Sequence, residues 1–373
     1  MADLPAAIEA GFSVSRIQIA GVAAPARALA LIAGTEDFAS AGLAHWHASP
    51  PAGQPRDVAC YIAADAVVSG AGQVWIGGRL VTSPEIMAPY VAQALELADG
   101  GAALLHHCAA LPVRRIDAPC LVALGSAAEN YGHFLIEIMF RLLIARRARA
   151  LGAPAYRVLL DHVAPEWKLR IMRENFGIAS DDIELFDPWR ERVALREAIL
   201  PTRVFQDPMI HPFANDLIGA LMDTLRVPAA ATGSGRIFVA RDRLRLAAGV
   251  HRRCGNERRL LQIAEAQFGF VPVFPETLAW PAQIAAFGHA GIVVGQAGSG
   301  LHNALFCRPG SRLASIGLLN LVQSEIGALR RQHNAFLLKD VSLTGEFTID
   351  EDMFAAFLAA VCDGVASTNG PDD

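Results

Sequence analysis

The sequence predicts an α/β protein: two successive strand–helix halves, each built on a mainly parallel sheet, behind a hairpin-rich N-terminal region. Three observations carry that reading. The chain has 373 residues, 53% apolar and only 18% charged, enough for buried cores in two or three domains and too apolar for extended disorder. From about residue 119 short apolar runs alternate with stretches of helical periodicity, as in a parallel sheet covered by helices. The alternation lapses at Val227-Pro228-Ala229-Ala230-Ala231-Thr232-Gly233-Ser234-Gly235, small, uncharged and linker-like, and then restarts. The expected organisation is a β-rich region over 1–118, one α/β half over 119–226, a second over 236–345, and a helix with a frayed tail over 346–373.

In the N-terminal region, Cys60-Tyr61-Ile62-Ala63, Gln73-Val74-Trp75-Ile76 and Arg79-Leu80-Val81 are short apolar runs separated by glycine pairs, which read as hairpins. The first half should contain a buried strand at 121–124, a long helix over 130–150, a strand at 157–160, a helix over 165–176, and apolar runs at 183–186 and 198–200. The second should contain strands at 237–240, 270–274, 291–295 and 313–316, with helices over 256–268, 280–289 and 299–307, and a last helix over 349–361.

Charge and composition narrow the function classes. The formal net charge is −5, from 32 basic and 37 acidic residues, which disfavours a basic nucleic-acid binder. Lys168 and Lys339 are the only lysines, so nearly all positive charge is arginine, suited to forked contacts with carboxylates and phosphates. The first residues lack the basic and apolar regions of a signal peptide, and the most apolar stretch, 134–145, is interrupted by Glu137 and Arg141 and too short to span a bilayer. A cytoplasmic protein, at most peripheral to a membrane, is expected. The six scattered cysteines form no CxxC pair and read as reduced core residues. His106-His107-Cys108 has no spaced partner ligands and reads as structural, as does His45-Trp46-His47, so no metal site is expected. There is no GxSxG elbow and no Walker motif.

Three segments carry candidate chemistry. On the 130–150 helix, Asn130, His133, Glu137 and Arg141 fall at offsets of 0, 3, 7 and 11, one narrow polar stripe on an otherwise apolar helix. A helix apolar nearly all round is buried, and buried charge is costly unless it pairs or lines a wet site. The stripe is therefore either a catalytic edge or an internal ion-pair network. Next, Arg241, Arg243, Arg245, Arg252, Arg253, Arg258 and Arg259 lie within 19 residues against only Asp242 and Glu257. Arg243, Arg258 and Arg259 suit a solvated face, whereas Arg241, Arg252 and Arg253 stand close to the carboxyl end of a strand, where open α/β sheets bind ligands. Finally, Gly295-Gln296-Ala297-Gly298-Ser299-Gly300-Leu301-His302-Asn303 closes an apolar strand and opens a helix, the generic anion cradle, without the spacing of a GxGxxG fingerprint.

Taken together, Asn130-Tyr131-x-His133-Phe134-Leu135-x-Glu137 with Arg141, the stretch Arg241-Asp242…Arg252-Arg253…Asn256-Glu257, and Gly295-x-x-Gly298-Ser299-Gly300-Leu301-x-Asn303 resemble family 61 glycosyltransferases over about 120–317. The chain departs from many members in having Gly132 before the motif histidine and Ala297 where they carry a histidine. The resemblance implies a GT-B architecture of two Rossmann-like domains with a cleft between them. It also implies an inverting, metal-independent transferase of the capsular-polysaccharide type, moving a sugar from a nucleotide-sugar, with a UDP-sugar expected, to a glycan or other hydroxyl acceptor. No cofactor beyond that co-substrate is implied.

On this reading Glu137 is the first choice for the base and His133 the second, with Asn130 and Arg141 completing the stripe. Arg241, Arg252, Arg253, Asn256, Glu257, Gly298, Ser299, Gly300, His302 and Asn303 form the donor side. Two other readings keep the same anion site: a nucleotide-sugar epimerase or hydrolase, and a non-catalytic carbohydrate- or nucleotide-binding protein. The oligomeric state is not encoded in any of these features.

Overall fold

A computed structural model describes residues 13–23, 30–34, 56–70, 72–81, 110–125, 129–205, 209–227, 235–243, 252–339 and 345–364. The His45 and His106–Cys108 motifs and most of the linker-like stretch lie outside them. In chain order the strands are β1 (Val14–Ala20), β2 (Ala30–Gly34), β3 (Val58–Ser69), β4 (Gln73–Ile76), β5 (Arg79–Leu80), β6 (Val113–Ile116), β7 (Cys120–Val122), β8 (Arg157–Asp161), β9 (Ile183–Phe186), β10 (Arg192–Pro201), β11 (Gly235–Val239), β12 (Arg252–Cys254), β13 (Val271–Val273), β14 (Ala290–Gln296), β15 (Arg312–Gly317), β16 (His333–Leu338) and β17 (Gly345–Phe347). The helices are α1 (131–150), α2 (Glu166–Phe176), α3 (Ala214–Thr224), α4 (Glu257–Phe268), α5 (Trp280–Gly288), α6 (Leu321–Leu329) and α7 (Glu351–Asp363).

The chain divides into two compact units, Met1–Ala24 with Gln54–Gln206, and Pro25–Gly53 with Asp207–Asp373. Unit 1 is organised by a nine-stranded mixed sheet whose main path runs β5-β4-β3-β10-β7-β8-β9, with β1 on β3 and β6 on β10. Its parallel part, β9-β8-β7-β10, has the order 3-2-1-4. The predicted hairpins form, as β3-β4-β5. They do not make a separate region: β3 pairs antiparallel with β10 from Val193↔Val68 to Pro201↔Cys60, so one sheet and one core run across residue 118. The apolar run expected at 198–200 is the end of a ten-residue strand paired with β3 on one side and with β6 and β7 on the other.

Unit 2 holds a six-stranded all-parallel sheet, β13-β11-β14-β15-β16-β2. Without β2 its order is 2-1-3-4-5, that of a doubly wound sheet. β2 comes from the N-terminal region and lies parallel to β16, another departure from the expected boundary. The elements β1, β2, β6, β12, β16, β17, α3 and α6 were not anticipated.

The helix expected over 299–307 is instead a 3-10 helix, Ser299–Phe306. Such helices satisfy their backbone poorly, and here side-chain amides complete the bonding. Asn303 donates to the Gly300 carbonyl (3.2 Å), Gln323 to Leu301 (3.3 Å) and Gln332 to Ala304 (2.8 Å). All three amides are buried, which explains why an apolar core tolerates them.

The described cysteines, Cys60, Cys120, Cys254, Cys307 and Cys362, are free thiols, and burial pushes Cys60, Cys120, Cys254 and Cys307 up to about 12. Among the described residues no helix is long and apolar enough to cross a membrane.

Candidate active site

In unit 1 the chain leaves β7 for β8 on one side, while β10 lies on the other, so the β7/β10 boundary is a topological switch point. The segment beyond the carboxyl end of β7 leads into α1. Asn130 caps that helix, its side chain accepting from the N–H groups of Gly132 (2.8 Å) and His133 (3.4 Å). The helix then departs from α geometry: Phe134–Ile138 is π-helical, with the Met139 N–H bonded to the Phe134 carbonyl. Single π turns inside α-helices recur at functional sites, and this one contains Glu137.

His133 Nδ1 lies 2.9 Å from Glu137 Oε1, and the two side chains are 37% and 5% exposed. Glu137 also packs on Gly125, where a β-carbon would stand 2.6 Å from Oε2 and 3.1 Å from Ile138 Cδ1, so a glycine is needed for the carboxylate to lie on that backbone. Arg141 is buried and donates to the carbonyl of Val122, the last residue of β7 (3.3 Å). The buried-helix expectation is met over 134–145. The stripe is a graded one: Asn130 at the surface, His133 half-exposed, Glu137 and Arg141 inside.

Sequence reasoning passed over Lys168, which is buried in the first turn of α2. Burial lowers its ammonium to about 8, while Asp161, Glu137 and Glu129 favour the charged form. That helix start is docked on α1 by Trp167, whose ring packs edge-on against Tyr131 and Phe134 at 5.6 Å each. Arg203, buried just beyond the carboxyl end of β10, was also missed. The scarcity of lysine, with Lys168 following a strand and a Pro165 helix start, was the one available signal.

In unit 2 the switch point falls between β11 and β14, where the predicted arginine and glycine motifs converge. Gly295 permits this close packing, since a β-carbon there would stand 2.8 Å from the Val239 carbonyl oxygen. Arg241 follows β11. Its N–H donates to Glu257 Oε2 (3.0 Å), and its guanidinium reaches the Ala297 carbonyl (3.4 Å) beside Gly298, where a β-carbon would come within 2.9 Å of it. Burial pushes the Glu257 carboxyl up to about 7, against the opposing pull of the Arg241 N–H and charge. The 3-10 helix begins with Ser299 and Gly300, so the positive end of its dipole lies at this glycine turn.

The remaining donor-side candidates divide. Asn256 donates to the Ile349 carbonyl (2.7 Å) and accepts from its N–H (3.1 Å), so it ties α4 to the segment before α7. Asn303 is fully buried and holds the turn, as above, so each of the two amides has a backbone role in the fold. His302 is buried. The backbone of Arg252 and Arg253 lies in β12, paired with β17, and Arg253 is exposed. Arg258 and Arg259 sit on the surface against Asp242 and Glu351, and Arg243 stacks 3.8 Å from the Phe274 ring centroid, the solvated face anticipated for them. Among the described residues no group of three or more His, Cys, Asp or Glu side chains could hold a metal ion.

A family model described as Glycosyltransferase 61 matches residues 131–314. Over that stretch the chain belongs to glycosyltransferase family 61. No curated protein matches the chain. The family match begins at the first residue of α1, after β7, and ends inside β15, so it takes in the His133–Glu137 pair, β10 and the β11/β14 switch point. Membership implies a sugar donor and an acceptor as substrates.

Proposed function

We propose that the protein is an inverting, metal-independent glycosyltransferase of GT-B architecture. It would carry a sugar from a nucleotide-sugar, a UDP-sugar by expectation, to a hydroxyl of a glycan acceptor in bacterial polysaccharide synthesis. The observation that carries this reading is the His133–Glu137 pair at the unit 1 switch point: a half-exposed imidazole backed by a buried carboxylate. That order reverses the sequence-based ranking. With Glu137 ionised, Nδ1 of His133 holds its proton towards Oε1 and Nε2 is the basic nitrogen. His133 is then the catalytic base and Glu137 the residue that positions it, the logic of a carboxylate-oriented histidine.

The acceptor hydroxyl gives its proton to Nε2 as its oxygen forms the new bond to the anomeric carbon. The bond from that carbon to the diphosphate oxygen breaks in the same step, and the nucleoside diphosphate leaves with the electron pair. In unit 2, Arg241 and the N–H groups at Ser299 and Gly300 supply the positive field for that departing group, without a metal. Glu257, half protonated at its midpoint of about 7, offers an acceptor or donor to a donor-substrate hydroxyl with less repulsion of the phosphates than a fully ionised carboxylate.

A thermal-shift series with UDP-, GDP-, CMP- and TDP-sugars tests the reading. One nucleotide should stabilise the protein selectively, by about 2.7 kcal/mol at a hundred times its dissociation constant. No shift with any of the four would remove the donor-site assignment.

A further inference from the structure

Trp189 is 64% exposed, and no other Phe, Tyr or Trp among the described residues lies open to solvent. An exposed apolar side chain alone is ordinary, but the turn that presents this one is pinned on every side. The Asp187 carboxylate accepts from the Trp189 N–H (3.0 Å), and its carbonyl accepts from the N–H groups of Arg190 and Glu191 (both 3.1 Å). Asp187 Oδ2 also meets Arg190 Nε at 3.4 Å and His162 Nε2 at 3.8 Å. The other ring nitrogen of His162 lies 3.3 Å from Asp161 Oδ1, which also caps the Val163 N–H (2.9 Å). Among the described residues both of these Asp161 contacts fall on Oδ1. The turn that carries the indole is therefore held in place, and its two carboxylates are bridged by an imidazole.

These groups follow the carboxyl ends of β8 and β9, next in the sheet to β7, whose end leads to Gly125 and Glu137. Adjacent strands are about 4.8 Å apart, so the Trp189 turn stands roughly 10 Å along the rim from the end of β7. That is the reach of a short oligosaccharide, and it belongs to the same ligand-binding edge.

We propose that this rim is a carbohydrate subsite, and that the acceptor is a pyranoside chain extending from the reacting hydroxyl near His133 towards Trp189. One sugar lays its C–H face on the indole and turns its hydroxyls to Asp161 and Asp187. The chemistry selects this occupant. A pyranose is apolar on one face and hydroxylated at its edge; Arg190 offsets the charge of Asp187, so it is the Asp161 carboxylate that repels a nucleotide's phosphates and strands an apolar peptide against charge. The inference rests on unit 1 handling the acceptor, as the proposed function has it.

The test needs no turnover. The chain has five tryptophans, so 5-fluorotryptophan labelling gives five fluorine resonances, and Trp189→Phe identifies the one in question. Titration with the methyl glycosides of glucose, galactose, mannose and N-acetylglucosamine should move that resonance saturably with at least one sugar, while UDP alone leaves it in place. Asp161→Asn should weaken the response about tenfold, the loss of one charge-assisted hydrogen bond. In transfer assays Trp189→Ala should raise the acceptor KM about tenfold and Trp189→Phe should restore most of it. A resonance unmoved by all four glycosides, or moved equally by UDP, overturns the subsite. If glycosides bind here and no nucleotide-sugar is ever turned over, the subsite stands and the transferase reading fails.

Discussion

The two units apply one topological rule to opposite chemistry. Each places its polar residues beyond the carboxyl ends of parallel strands at a switch in strand order: β7/β10 in unit 1, β11/β14 in unit 2. Unit 1 gathers a carboxylate, an imidazole and a buried lysine there, the lysine with its ammonium lowered by burial to about 8. Unit 2 gathers an arginine, a helix N-terminus and a carboxyl held up to about 7, the groups to which the proposed function gives the anion. Strand order selects where a ligand goes, and the residues in the loops that follow select what it is. The variants below try to break that division of labour.

The largest effect should come from Glu137→Gln. The amide leaves the imidazole in place but no longer fixes its tautomer, so kcat should fall by roughly 10²–10⁴-fold, while calorimetric binding of the nucleoside diphosphate stays at the wild-type value. Weakened nucleotide binding in this variant would dissolve the distinction between the units. The mirror variant is Arg241→Ala. Losing the charge-assisted bonds to a diphosphate should weaken its binding by about 10–100-fold, and calorimetry reads this directly.

Acid–base behaviour separates the units by sign. Glu257 binds a proton more tightly in the fold than in the unfolded chain, with its midpoint raised from 4.5 to about 7. Its contribution to stability is therefore complete below about pH 4.5 and lost as pH rises to about 7, a change on the order of a few kcal/mol. Nucleotide affinity should fall over the same upper range as the carboxylate forms, and Glu257→Gln should flatten both dependences. Lys168 runs the other way. Its midpoint is lowered from 10.5 to about 8, so the fold binds fewer protons than the unfolded chain between those values, and stability gains as pH rises through them. Lys168→Met should remove that alkaline gain. Thermal unfolding measured from pH 4 to 10 on the wild type and both variants decides the signs.

The smallest contrast lies in the helix caps. Asn130 caps α1 and Asn320 caps α6 by the same two-bond geometry. Alanine at either should cost about 1 kcal/mol in chemical denaturation. Only Asn130→Ala should also lower turnover, because the cap fixes the turn that carries His133.

Much of this was legible before any coordinates. The 3.6-residue spacing of Asn130, His133, Glu137 and Arg141 marked the stripe, and the strand ends marked Arg241 and the glycine turn. What the spacing did not show is that polar residues near a motif also serve the backbone. Asn256 bonds the backbone of Ile349 beyond β17 and Asn303 that of Gly300 in the 3-10 helix, a need invisible without knowing which backbone groups are orphaned. Lys168, Gly125 and Trp189 escaped notice because their meaning depends on neighbours far along the chain. A lone lysine, glycine or tryptophan has no periodicity to betray it.

By itself the sequence determined the local elements, the buried polar stripe and the concentration of arginine after β11, because side-chain period and turn chemistry act over a few residues. The tertiary structure alone decided that β3 joins β10 and β2 joins β16, pairings between segments more than a hundred residues apart. It also decided that His133 rather than Glu137 meets solvent. Strand pairing and burial are set by which distant surfaces can exclude water together, and no local pattern records that choice.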